Sequence, residues 1–230
     1  MLNHTEEAKY AELRDKCREL RVPAPPEIMI GLKVHDKNGI LTFDDLQRGH
    51  SWTRNFWNLL LAHMTCIPSS GATHEAGTMM VKGITGSVKG DAINHVNGWF
   101  ATLWPGVIAN ASYGIVVGTD NTAFSADQYA LGAICEEGTG AGQLTHQAES
   151  AVAGAYDSGT DVWTITHARI MNNNSGGSIT VKETGIYVWD QNWSTSIMVE
   201  RSILNPTVAV PNGAQLTVTY EISMDFSAID

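Results

Sequence analysis

The sequence predicts a mainly β protein: an antiparallel, jelly-roll-like β-sandwich body preceded by an N-terminal helix, a β-hairpin and a second helix. Three observations carry that reading. Leu216, Val218, Tyr220, Ile222 and Met224 alternate with Gln215, Thr217, Thr219, Glu221 and Ser223, the pattern of a strand with one apolar and one wet face. The C-terminal third is a series of short β-forming runs closed by Gly, Pro and Asn turns, as in an antiparallel sandwich. The 230 residues include 22 glycines against 14 Lys+Arg, a composition of turns and sheet rather than of long helices.

The elements follow in chain order. Thr5 suits a helix N-cap, and Glu6 and Glu7 suit a first turn, where the helix dipole favours anions. Tyr10, Leu13, Cys17 and Leu20 then recur at helical spacing on one narrow stripe of an otherwise charged helix. Such a stripe packs either on its own domain or on a partner helix. Pro23, Pro25 and Pro26 end the helix and form a stiff exit that favours projection over folding back. Ile28–Val34 and Ile40–Phe43 flank an Asp/Asn/Gly turn and read as a hairpin. Ser51–Met64 reads as a second helix capped by Ser51, with Trp52, Phe56, Leu59, Leu60 and Met64 on one face.

From Pro68 to Gly114 the chain reads as loops and short strands. Tyr113–Gly118 is a strand, Ser125–Cys135 a short helix, and Gly138–Gly142 a flexible loop. Asp161–Met171, Ser178–Asp190 and Ser196–Leu204 are strands, the last closed by Asn205–Pro206. Within 178–190 the apolar pattern slips: Ile179 and Val181 share one parity, Ile186 and Val188 the other. A bulge near Thr184–Gly185 returns both pairs to the core.

Charge divides the chain in two. Residues 1–60 balance nine cations against nine acids, whereas the remainder holds five cations and fifteen acids, the source of the net −10. We therefore read residues 1–66 as a docking arm and 67–230 as the body. An acidic chain lacks the cations that displace counterions from nucleic acid or that dock on anionic lipid, so neither partner is expected. No apolar run reaches the roughly 18 residues of a membrane span. The opening residues lack the basic and apolar regions of a secretion signal, which points to synthesis in a cytoplasm. Cys17, Cys66 and Cys135 are odd in number and widely spaced, so neither a disulfide framework nor a zinc ribbon is indicated.

The motif search yields imitations of catalytic and metal sites. Around Gly39, Asp36, Asn38 and Asp45 take third, fifth and twelfth positions of a calcium loop, but Val34 stands first and the closing glutamate is missing. His74-Glu75 begins a zinc-protease pattern whose second histidine is Thr78. His146 and Glu149 converge only if their segment is helical. Gly138, Gly140 and Gly142 lack the Lys-Ser/Thr of a phosphate loop. The adjacent acids Asp44-Asp45 and Glu136-Glu137 diverge on a strand or loop. No cofactor, metal or catalytic residue is assigned. Seven tryptophans remain, of which Trp189 and Trp193, with Tyr187, gather around one inter-strand loop. Tryptophan there packs a loop, fills a protein interface or stacks on a sugar ring.

Ile179–Val188 (I-T-V-K-E-T-G-I-Y-V), Glu200–Pro206 (E-R-S-I-L-N-P) and Val210–Ile222 (V-P-N-G-A-Q-L-T-V-T-Y-E-I) resemble, in that order, strands of tailed-bacteriophage virion proteins. Ile115–Thr119, Tyr129–Leu131 and Ser51–Phe56 fit the same arrangement. The resemblance implies a non-enzymatic part of the tail, neck or a head appendage, present as copies in a ring or spike among other virion proteins. It supplies no catalytic residues. On this reading Tyr10, Leu13, Cys17 and Leu20 form a subunit interface. The alternative is a module of the particle that binds a host-surface glycan, with Trp189 and Trp193 as contacts; a glycan hydrolase is a further possibility, requiring two carboxylates in one cleft.

Overall fold

A computed structural model describes residues 4–22, 24–49, 51–65, 81–89, 102–103, 105–150, 153–190 and 194–227. The protein is mainly β; among the described residues there are two helices, α1 (His4–Leu20) and α2 (Arg54–Thr65), and twelve strands. The strands are β1 (Glu27–His35), β2 (Leu41–Arg48), β3 (Val81–Lys82), β4 (Val88–Lys89), β5 (Thr102–Leu103), β6 (Gly114–Gly118), β7 (Thr145–His146), β8 (Ala153–Asp157), β9 (Val162–Asn172), β10 (Ile179–Asp190), β11 (Thr195–Val210) and β12 (Gln215–Asp225).

Six strands form one antiparallel sheet in the order β2-β1-β12-β9-β7, with β8 also on β9; four form a second, β11-β10-β5, with β6 also on β10. The alternation of β12 is realised: Leu216, Val218 and Tyr220 are fully buried, and β12 pairs with β1 on one side and β9 on the other. Ile30, Leu32 and Val34 of β1 and Ile197, Val199 and Val208 of β11 join them in one apolar cluster shared by both sheets. The hairpin read as part of the N-terminal arm is thus built into the same sheet as the closing strand, from Glu27↔Ser223 to His35↔Gln215. Asp36 sets its turn, Oδ1 accepting the N–H groups of Asn38 (2.8 Å) and Ile40 (2.9 Å), with Gly39 at φ +79°.

Several local expectations are corrected. Ile179, Val181, Ile186 and Val188 do all reach the shared core. The parity change, however, lies at Lys182–Glu183, where the β10–β11 register jumps from Val181↔Val208 to Glu183↔Ile203. Strand β11 does not stop at Asn205–Pro206. Residues 204–207 oppose no residue of β10, so a proline there forfeits no ladder bond. Gln47 instead bonds the Asn205 N–H (2.8 Å) and the Pro206 carbonyl (2.9 Å).

Ser125–Cys135 is not a helix. Its backbone is drawn to the edge of β6, where Thr119 N–H donates to Ala133 O and Cys135 N–H to Val117 O. The Gly138–Gly142 loop is a hydrogen-bonded turn, Gln143 Oε1 accepting the Gly140 N–H at 2.8 Å. Helix α2 starts after Thr53 rather than Ser51; Trp52, Phe56 and Leu59 pack on the core, whereas Leu60 is exposed. The side chain of Met64 lies outside the description.

Helix α1 folds back rather than projecting. It crosses the end of β12, β1 and β2, where Arg18 approaches Asp225 at 3.7 Å, Arg14 pairs with Glu27 at 2.7 Å, and Arg48 takes Glu7. The proline exit is stiff, but two opposite charges on the sheet outweigh the preference for projection.

Candidate interaction surface

The anchor of α1 is Arg48. Its side chain is 4 % exposed, its Nη1 donates to Glu27 Oε2 at 2.8 Å, its Nε donates to Glu7 Oε1 at 2.9 Å, and its guanidinium stacks 4.0 Å from the Tyr10 ring centroid. A guanidinium that has left water needs compensating carboxylates, and Glu7 and Glu27 supply them from opposite sides. The seam of α1 that meets the body is therefore Glu7, Tyr10, Arg14 and Cys17. It shares Tyr10 and Cys17 with the apolar stripe read from the sequence but is rotated from it. Leu13 and Leu20 are left at the flank, 39 % and 71 % exposed, with Val22 beside them at 42 %. The charge on Arg48 and Glu27 is what turns the helix. That signal was present in the sequence only as two ordinary charged residues 21 positions apart.

Trp189 is half-buried, its ring centroid 5.7 Å from that of Tyr113, and it pairs with Leu103 of β5. Tyr187, two residues earlier on the same face of β10, is fully buried in a second apolar cluster with Val116, Leu131 and Met198, against which Tyr113 also packs. There the Tyr187 hydroxyl oxygen accepts the Leu131 N–H at 2.6 Å. Tyr187 and Trp189 of the aromatic group thus share one face of β10, with Tyr113 against both. Trp193 lies outside the described residues, as do His74, Glu75 and Cys66.

The buried ionisable groups serve the scaffold. Arg169 of β9 is fully buried and gives its donors to the carbonyls of Gln147, Tyr113, Ile115, Val107 and Asn110, pinning residues 105–115 over the core. Gly106 is required there, because a Cβ would lie 2.6 Å from Arg169 Cζ. Arg201 of β11 meets Glu183 of β10 at 2.7 Å and also holds Thr122 O and Gln128, so the 119–135 segment is clamped onto the outer side of the four-stranded sheet. None of these partners was legible in the sequence, since most are backbone carbonyls more than fifty residues away.

The two metal imitations among the described residues, His146 with Glu149 and the Asp36 turn, resolve into hydrogen bonds. His146 is buried with Nδ1 2.9 Å from Glu137, and burial lowers its pKa; Glu149 accepts the Ile115 N–H instead of converging with His146. Asp36 is occupied by its own turn. Among the described residues no group of three or more His, Cys, Asp or Glu side chains is gathered. Burial pushes the Cys135 thiol up to about 12. Glu183, Glu149 and Glu200 have fully buried side chains, each with a partner inside the fold. Comparison of the chain with protein-family models, curated proteins and solved structures finds no match.

Proposed function

We propose that this chain is a structural component of a tailed-phage virion, a tail, neck or appendage protein. In this reading a jelly-roll-like β-sandwich assembles with copies of itself and with other virion proteins and performs no catalysis. The three ordered C-terminal motifs support the family. The observation that carries the assembly role is the rotation of α1: charge pairs seat the helix on the body and leave Leu13, Leu20 and Val22 facing outward. An apolar flank on a helix already fixed in place is ready for a neighbouring subunit at little entropic cost.

Substitution tests this better than truncation, because removing residues 1–26 would also strip Glu7 from a buried Arg48. The double variant Leu13→Lys/Leu20→Lys is expected to fold and melt as the wild type, both positions being exposed, and to fail to enter particles. Incorporation at the wild-type level would refute the assembly role. The second reading, recognition of a host glycan, is favoured by an open groove whose lining includes Thr119, Ser175, Ser178, Thr180 and Lys182. Those hydroxyls and the ammonium could bond a sugar. Binding on a glycan array that Lys182→Ala abolishes would move the assignment there.

A further inference from the structure

We infer that His146 is an acid-sensitive latch: when its ring becomes imidazolium, the 144–150 segment lifts from the outer edge of β9. That segment lies between two neighbours. On one side Gln147 N–H donates to Ile170 O and Ser150 N–H to Ala168 O, which covers the edge of β9. On the other side Ala109 N–H donates to His146 O and Glu149 N–H to Gly106 O, so residues 106–109 ride on the segment. An uncovered strand edge is a pairing surface, so whatever releases the cover opens that surface.

His146 sits within the cover, its side chain fully buried. Glu137 Oε2 accepts both the His146 backbone N–H, at 2.8 Å, and the Nδ1–H, at 2.9 Å. A carboxylate facing Nδ1 fixes the neutral ring with its proton there, which leaves the lone pair on Nε2. Nε2 is buried and has no hydrogen-bond partner among the described residues. A neutral lone pair costs little in that position, whereas a charged N–H without an acceptor costs far more.

The surroundings offer little counter-charge. From residues 136–137 comes Glu137, part-exposed and already committed to the two N–H groups of the neutral form; Glu136 is exposed. From β9 come Arg169 and His167. Arg169 is fully buried and gives its donors to carbonyls, with no carboxylate in ion-pair contact among the described residues. The layer therefore already holds one cation without a direct counter-ion, and that cation repels a second at His146. The segment itself brings Glu149, whose oxygens lie on the Ile115 N–H and 3.8 Å from His167 Nδ1. From residues 105–115, Tyr113 gives Arg169 its carbonyl.

Desolvation first, then Arg169, hold the ring neutral below its ordinary pKa of about 6.5. A lifted segment takes the proton in water near that value and the closed one refuses it, so falling pH favours the lifted form. Lifting hydrates Nε2 and frees the carbonyls of Ala168 and Ile170. The latch stands on this geometry and does not require the virion reading.

Hydrogen exchange of the full chain at pH 7 and pH 5, corrected for the intrinsic pH dependence of exchange, tests it. Protection of the Ala109, Gln147, Glu149 and Ser150 amides is expected to fall about tenfold, as one histidine with an ordinary pKa in the lifted form allows. Protection of Val218 and Tyr220 in β12 should not fall. His146→Gln keeps an amide donor for Glu137 and takes no proton, so protection there should be equal at both pH values. His167→Gln should retain the wild-type fall. The His146 ring followed by NMR in the wild type needs no variant: it should stay neutral at pH 6, where an exposed histidine is mostly charged. Equal wild-type protection at both pH values would overturn the latch. So would a fall that survives in His146→Gln or vanishes in His167→Gln, or a ring charged at pH 6 in the closed fold.

Discussion

Tyr220 and Glu200 meet between the two sheets, the tyrosine hydroxyl of β12 lying 2.7 Å from Glu200 Oε2 of β11. Both residues are fully buried. Burial pushes the Glu200 carboxyl up to about 8, so it carries its proton at neutral pH. A protonated carboxyl donates to Tyr220, Tyr220 to Thr184 Oγ1 at 3.3 Å, and Thr184 to the Val116 carbonyl at 3.1 Å, while Ser202 donates to Glu200 Oε1. Every hydroxyl in that relay is satisfied, which is the condition for tolerating a polar chain inside an apolar core.

The relay makes stability depend on pH. The folded protein keeps a proton on Glu200 that the unfolded chain releases near its ordinary pKa of about 4.3. The Glu200 contribution is therefore complete below that value and is lost as pH rises towards about 8, by roughly 1.4 kcal/mol per pH unit. Glu200→Gln keeps the shape without the ionisation. Denaturation from pH 5 to 8 should show the difference between wild type and Glu200→Gln changing with that slope. Parallel curves would mean that Glu200 is not protonated in the fold.

Arg169→Lys should destabilise the protein by about 3 kcal/mol. An ammonium has three donors and no planar fork, so at least two of the five carbonyls now held by the guanidinium lose their partner in a buried site. The 105–115 amides should exchange with deuterium faster than those of β12. Uniform exchange would show that the loop is held by other contacts.

Val218→Asp should abolish folding. Val218 is fully buried opposite Arg169, whose donors are already committed, so the new carboxylate would be an unpaired charge costing on the order of 5 kcal/mol. That is comparable with the whole stability of many domains. A cooperative, wild-type-like melt would show that β12 faces the other way.

Chelation should change neither melting nor assembly. In the hairpin turn Asp36 Oδ1 already accepts two backbone N–H groups, and these bonds, Ile40 first, hold its carboxyl below the ordinary range. A drop in melting temperature with EDTA would restore the 34–45 segment as a cation site.

What could be read from residues alone followed local periodicity. The alternation of 215–224, the Asp36–Gly39 turn and the apolar face of α2 are written in side-chain spacing, because each depends on near neighbours in the chain. The need for a bulge in β10 was equally legible, since a parity slip between two apolar pairs has few other remedies. Its position was not, because the break is set by where β11 leaves the ladder at residues 204–207. Ser125–Cys135 shows the opposite failure: a segment with helical composition lies along β6 because that edge offered its backbone partners from elsewhere in the chain.

The surface of α1 was decided by tertiary structure in the same way. Spacing alone put Leu13 and Leu20 on the stripe with Tyr10 and Cys17, and it could not know that Arg48 would be buried beneath the helix. Once β1 and β2 join β12, that guanidinium must be neutralised, and the helix turns to bring Glu7 to it. Local sequence determined which segments would be strands and helices. Which side chains were left facing outward was settled by the charges that folding forced out of water.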